Sequence, residues 1–293
     1  MIHLVIDQRR RSLGGFEVGR VLPFAKHRMV GPFAFFDHMG PAVFPPDIPR
    51  DADVRPHPHI GLSTVTYLFE GEITHRDSVG AVQDIRPGEV NWMTAGRGIT
   101  HSERFDHLRP TGGRMHGIQA WVALPLEAEE TDPSFRNHQG ADLPTYESGD
   151  GLWARLIAGE AFGAKAAVQT HSPLFYVHWA LKVGARAQLE ADYPERAAYV
   201  VSGAVEVDGH TYEGGKMLVF APGTPVLFTA VTDAVVMLLG GEPVGPRFIE
   251  WNFVSSSKDR IDQAIADWRA GRMKLPDADD QEFIPFPAPS PTS

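Results

Sequence analysis

The sequence predicts an all-β protein built from two similar barrel-like units. Three observations carry that expectation: a turn-rich composition, short period-2 runs at close intervals, and a repeat of one unit in the second half. The 293 residues include 29 glycines and 24 prolines, which suits short strands joined by tight turns better than long helices. With 43% hydrophobic and 22% charged residues, the chain carries enough apolar material to bury real cores.

In chain order, Val65, Tyr67 and Phe69 alternate with Thr64, Thr66 and Leu68, the pattern of a strand. Glu70-Gly71-Glu72 turns the chain and makes Ile73–Asp77 the expected hairpin partner. Arg86-Pro87-Gly88-Glu89 forms a further turn before Val90-Asn91-Trp92-Met93. The flexible Ala95-Gly96-Arg97-Gly98 leads into Ile99-Thr100-His101-Ser102-Glu103, and Gly117–Leu124 reads as another strand. Residues 125–150 are rich in acids, Pro and Gly without periodicity, as in a linker or exposed connection. A second strand-rich segment follows, from about Trp153 to Glu242.

The halves rhyme. Tyr67-Leu-Phe-Glu-Gly71-Glu-Ile-Thr is echoed by Tyr199-Val-Val-Ser-Gly203-Ala-Val-Glu, so two copies of one β unit are expected. The division falls at 1–135 and 136–293; one irregular β-sandwich with coincidental similarity is the competing reading. A helix is expected near 257–271. Ser256 and Asp259 offer an S-x-x-D cap, and Ile261, Ala264, Ile265 and Trp268 recur at i, i+3, i+4 and i+7. The last 18 residues hold five prolines and read as an extended surface tail.

Several function classes drop out. A net charge of -10 argues against nucleic acid as the main ligand. The absence of cysteine excludes disulfides, thiolate metal sites and cysteine nucleophiles. No apolar run is long enough for a membrane span, and the N-terminus lacks a signal-peptide pattern, so a cytoplasmic protein is expected. There is no G-x-S-x-G elbow, P-loop, G-x-G-x-x-G or H-E-x-x-H.

What remains is two pairs of potential metal ligands. In Arg55-Pro56-His57-Pro58-His59 the prolines force extended backbone and remove two amide donors, as at a strand start or edge. Residues two apart then project to one side, so His57 and His59 point together. His101 and Glu103 repeat that spacing after the glycine-rich turn. Thirteen histidines make either spacing cheap alone; the signal is both pairs within one β unit. Three imidazoles and a carboxylate suit Fe(II), Mn(II), Ni(II), Co(II) or Cu(II). The bland alternative has His57 and His59 as solvated loop residues and His101 as a core histidine held by Glu103. His75 and His116 read as structural residues, Trp121 as core, and His38 as either a pocket residue or plain packing.

The run Arg55-Pro-His-Pro-His-Ile-Gly-Leu-Ser-Thr-Val-Thr-Tyr-Leu-Phe-Glu-Gly-Glu, together with Pro87-Gly88-Glu89-Val-Asn-Trp-Met-Thr-Ala-Gly-Arg-Gly-Ile-Thr-His101-Ser-Glu103, strongly resembles the pirin family. The resemblance spans most of the chain. It implies a bicupin of two jelly-roll-like barrels, with His57, His59, His101 and Glu103 binding one metal in the first barrel. It also implies iron as the usual ion, taken here as Fe(II), with Mn, Ni, Co, Cu or Zn as alternatives, and a second barrel without metal. Aligning Tyr199 with Tyr67 puts Leu189 and Ala191 at the positions of His57 and His59. The wider cupins carry a Glu soon after H-x-H, where this chain has Ser63 and Thr64, so Glu103 supplies the carboxylate instead.

Two activities follow from the resemblance. One is a quercetinase-type dioxygenase that opens a flavonol ring with O2 and releases carbon monoxide, with Glu103 as general base. The other is a metal-dependent regulator that binds a transcription factor or metabolic enzyme, for which the acidic charge favours a protein partner over direct nucleic-acid or membrane contact.

Overall fold

A computed structural model of the chain describes residues 1–12 and 15–288. Its first unit pairs a seven-stranded with a four-stranded antiparallel sheet. The larger runs in the order Ser134–His138, Val90–Thr94, Leu62–Glu70, Gly113–Ala123, Phe33–Phe44, Glu17–Leu22, Arg9–Ser12. The smaller runs Val54–His59, Ile99–Arg104, Ile73–Asp77, Val82–Ile85. The second unit repeats the plan. An eight-stranded sheet accompanies a four-stranded one ordered Arg186–Leu189, Val226–Ala230, Ala204–Val207, His210–Glu213. Both units are two-sheet, jelly-roll-like sandwiches rather than closed barrels, and the repeat seen in the sequence is a repeat of strand order.

The large sheets pack on each other. Their facing side chains, among them Phe33, Phe36, Tyr67, Trp92, Tyr176, Tyr199 and Leu239, form one buried apolar cluster. The N-terminal strand Ile2–Asp7 lies at the edge of the second unit's large sheet, with Val5 opposite Leu218. The N-terminal strand thus completes the second unit's sheet.

Three local expectations need correcting. Ile73–Asp77 is not the hairpin partner of Leu62–Glu70; it pairs with Ile99–Arg104 and Val82–Ile85 in the smaller sheet. Gly71, at φ +91°, with an added Cβ 2.6 Å from the Arg114 carbonyl oxygen, carries the chain between sheets instead of folding it back. Residues 125–150 are not an unstructured linker: Ser134–His138 pairs with Val90–Thr94, and Thr145–Glu147 with Trp153–Arg155. Alternation was too short in those segments to read.

The helix Lys258–Arg269 buries Ile261, Ala264, Ile265 and Trp268 as expected, but its cap is Ser257, whose hydroxyl accepts the Arg260 N–H. Ser256 is committed elsewhere: its N–H and hydroxyl both donate to the buried Glu129 carboxylate, at 2.8 and 2.9 Å. Beyond the helix the tail turns back over the first unit. The Ile284 N–H donates to the Pro56 carbonyl at 2.8 Å, and Trp268 Nε1 donates to the Ile284 carbonyl at 3.0 Å. Buried Arg104 forks onto Asp279, with both contacts at 2.8 Å, and also meets Asp53 at 3.3 Å. The tail is therefore extended, as expected, but anchored; residues 289–293 lie outside the described residues.

Candidate metal centre

The strand Val54–His59 is an edge strand paired only with Ile99–Arg104, the place where two prolines without amide hydrogens are tolerated. Ile99 stands opposite His59 and His101 opposite His57. The register then shifts: Glu103 faces Val54, so one extra residue bulges in the Arg55-Pro56 stretch. Gly61 ends the ligand segment at φ +66°, where a Cβ would fall 2.0 Å from the Val254 carbonyl oxygen. Only glycine lets the C-terminal hairpin Phe248–Ser255 approach this closely.

The ring nitrogens of His57, His59 and His101 that could ligate all lie within 4.8 Å of one another, and all three residues are buried. His57 Nδ1 donates to the Arg55 carbonyl at 2.9 Å, and His59 Nδ1 to the Asn252 carbonyl at 3.0 Å. Each bond commits Nδ1 as the protonated nitrogen and leaves Nε2 with a lone pair. His101 Nε2 is buried with no hydrogen-bond partner. An orphaned acceptor beside two further imidazole lone pairs is what a cation-binding site needs and what a satisfied core histidine would not show. Burial also keeps the rings neutral: it lowers His57 to about 4 and holds His59 and His101 well below the ordinary 6.5, with neighbouring rings adding to the effect.

Glu103 lies outside that 4.8 Å cluster but lines the same cavity. Burial raises its carboxyl to about 7, against a hydrogen bond from the Thr66 hydroxyl at 3.4 Å. Thr66 also donates to Gln119 at 2.8 Å.

The cavity has a volume of about 850 Å³; Phe16, Phe35, Phe105, Trp121 and Trp251 put five aromatic rings in its wall, beside charged side chains that include Arg20, Asp37, Asp51 and Arg55. Trp121 stacks on Phe35 with centroids 4.0 Å apart and planes 14° from parallel. The Arg20 guanidinium lies 4.3 Å over the outer part of that stack at Phe35 and grips Asp37 through two bonds of 2.8 Å. Trp121 is buried in an apolar cluster with Phe35, Leu62 and Met93, as expected, and its ring also lines the cavity. Trp251 and Asn252 from the C-terminal hairpin, and Glu282 and Ile284 from the tail, complete the wall.

His38 does not belong to this cavity. It sits between the units, 2.9 Å from the Tyr199 hydroxyl and 2.8 Å from His116 Nε2. In the second unit, Ala187 and Leu189 stand opposite Phe228 and Val226, as His57 and His59 stand opposite His101 and Ile99. The register therefore matches Ala187 to His57 and Leu189 to His59, two residues earlier than the alignment on Tyr199 suggests. These side chains carry no ligating atoms, and they join Val205 and Trp179 in one apolar core.

The family model described as Pirin matches residues 15–122, and that described as Pirin C-terminal cupin domain matches residues 176–274. A Caulobacter vibrioides relative named Pirin-like protein is 71% identical over 288 residues, 98% of this chain and 100% of its own length. A solved structure titled quercetin 2,3-dioxygenase from Acinetobacter baumannii superposes with a TM-score of 0.89 at 33% identity, covering 99% of this chain and 96% of that one. A second structure with the same title and organism gives a TM-score of 0.88 at 30% identity, covering 94% of this chain and 98% of that one.

Proposed function

The chain belongs to the pirin family, and on that premise we propose that its first unit is a metal-dependent dioxygenase of the quercetinase type. Its substrate would be a flavonol or a similarly flat polyphenol, opened by one O2 with release of one carbon monoxide. The observation that carries this proposal is the pairing of a buried three-imidazole cluster with a carboxylate in an aromatic-walled cavity. Solved structures at 30–33% identity titled quercetin 2,3-dioxygenase support it.

His57, His59 and His101 would hold one divalent transition metal, Fe(II) first among the candidates, with Glu103 turning in as a fourth ligand. When bound, such an ion supplies Lewis acidity that lowers the pKa of a coordinated hydroxyl. The protein's own groups do the rest. Trp121, stacked by its other face on Phe35, offers a flat ring on which a fused-ring substrate lies with its hydroxyl toward the histidines. Glu103 accepts the proton from that hydroxyl through its second oxygen. The Thr66 hydroxyl, itself hydrogen-bonded to Gln119, contacts the carboxylate. The tail and hairpin residues Ile284 and Trp251 cover the cavity and limit water around the reactive, electron-rich substrate.

The test is aerobic incubation of metal-loaded protein with quercetin, following loss of its visible absorbance and release of carbon monoxide. Loss of absorbance that depends on both metal and O2 supports the proposal. Full metal occupancy with no flavonol consumption would overturn it and favour the regulatory alternative.

A further inference from the structure

We propose that His75 and Asp77 are positioning residues that fix the tautomer of His101 through a one-way chain of hydrogen bonds, an inference that rests on His101 being a metal ligand. All three side chains are buried. Asp77 Oδ1 accepts the N–H groups of Val79 and Ala81 at 3.0 and 2.9 Å. Its Oδ2 lies 2.9 Å from His75 Nε2. The other nitrogen of that ring, His75 Nδ1, lies 3.3 Å from His101 Nδ1. Phe135 stacks flat on His75 at 4.3 Å and 16° and holds the ring plane between its two partners.

The direction of the chain follows from what each atom can do. A carboxylate only accepts, so His75 Nε2 carries hydrogen and, in the neutral ring, Nδ1 is a lone pair. His101 Nδ1 must then be the donor across 3.3 Å. That leaves His101 Nε2 as the lone pair, the same atom that is buried without a partner and faces the other two histidines. Reversing the chain would set two lone pairs against each other at 2.9 Å between Asp77 and His75. His57 and His59 obtain the same tautomer from backbone carbonyls; His101 obtains it from this relay. Partners of this kind orient the ring and raise its basicity toward a metal.

Asp77→Asn inverts the relay without changing its shape. The two backbone donors at Oδ1 keep the amide oxygen there, so the amide NH2 occupies the Oδ2 position and donates to His75 Nε2. His75 then carries hydrogen on Nδ1, and His101 must accept there and move its own hydrogen to Nε2. In the metal-free protein, long-range 1H–15N spectra of the imidazoles should show His101 as the Nδ1–H tautomer in the parent and the Nε2–H tautomer in Asp77→Asn. Co(II) affinity, read from its visible bands in competition with a chelator, should fall about 10–100-fold. An Nε2–H tautomer at His101 in the parent overturns the proposal even if the variant fails to fold. So does an Asp77→Asn protein with unchanged tautomer and affinity. A parent that shows the Nδ1–H tautomer but binds no Co(II) would instead defeat the metal-site reading and leave the relay standing.

Discussion

Glu103→Gln separates the cost of holding a buried carboxylate from its use. In the unfolded chain the carboxyl ionises near 4.5, and in the fold near 7, because burial disfavours its charged form. At about 1.4 kcal/mol per pH unit, ionised Glu103 costs the metal-free fold about 3 kcal/mol, and water in the cavity screens this toward about 2 kcal/mol. The sign is set by the raised value: the parent bears no penalty below pH 4.5 and loses stability as pH rises through 7. Glutamine has no such term. Glu103→Gln should therefore gain about 2–3 kcal/mol over the parent at pH 8 and under about 1 kcal/mol at pH 5, in urea unfolding of chelator-treated protein. Histidine contributions cancel because both proteins carry them. With metal restored, the order should reverse, since the carboxylate then faces a cation. Quercetin turnover by Glu103→Gln, measured per bound metal, should drop about 10²–10⁴-fold, the usual worth of a positioned base. A stability difference that does not change between pH 5 and 8 refutes the burial argument. A metal-loaded variant turning over at the parent rate refutes Glu103 as the base.

His101→Ala removes a ligand and should cut metal occupancy sharply in protein purified in parallel with the parent; equal metal content would exclude His101 from the site. Because burial holds His57 near 4 and the other two rings well below 6.5, neutral imidazoles persist well below their ordinary range. Retention against a chelator should thus hold at pH 6 and fail toward about pH 4, whereas half-loss above pH 6 would contradict the buried-ring electrostatics. The same depressed values mean that these rings withdraw stability from the metal-free fold as pH falls from 6.5 toward 4. Trp121→Ala deletes the ring on which the substrate is proposed to lie and should raise the KM for quercetin about 3–10-fold, the worth of one aromatic contact, with metal content unchanged. Asp53→Ala leaves the buried guanidinium of Arg104 and its neighbour Arg109 without their shared carboxylate and should destabilise the fold by about 3–5 kcal/mol in denaturant unfolding.

The clustered histidines were legible because their signal is local. Two prolines dictate extended backbone at His57 and His59, and the period of a strand does the rest. The repeat was legible for the same reason, since Tyr67 and Tyr199 begin the same pattern in equivalent strands. What escaped the sequence depends on partners far along the chain or on atoms every residue shares. His75 looks like any strand histidine until Ile73–Asp77 is seen to leave the hairpin and lie beside His101, which no periodicity foretells. Its spacing from Asp77, two apart on one strand, was the available clue, and it matched the spacing already used for His57–His59 and His101–Glu103. His59 is oriented by the backbone carbonyl of Asn252, an acceptor with no side-chain signature, 193 positions away. Gly61 was visible as a glycine, yet its reason is the Val254 carbonyl pressed against it. The first unit's site is therefore finished by the end of the chain: the hairpin that orients His59 also supplies Trp251 to the cavity, and the tail that follows the helix adds Ile284. The N-terminal site is complete only with the C-terminal segment in place, which is why it could be located from its histidines but its walls could not.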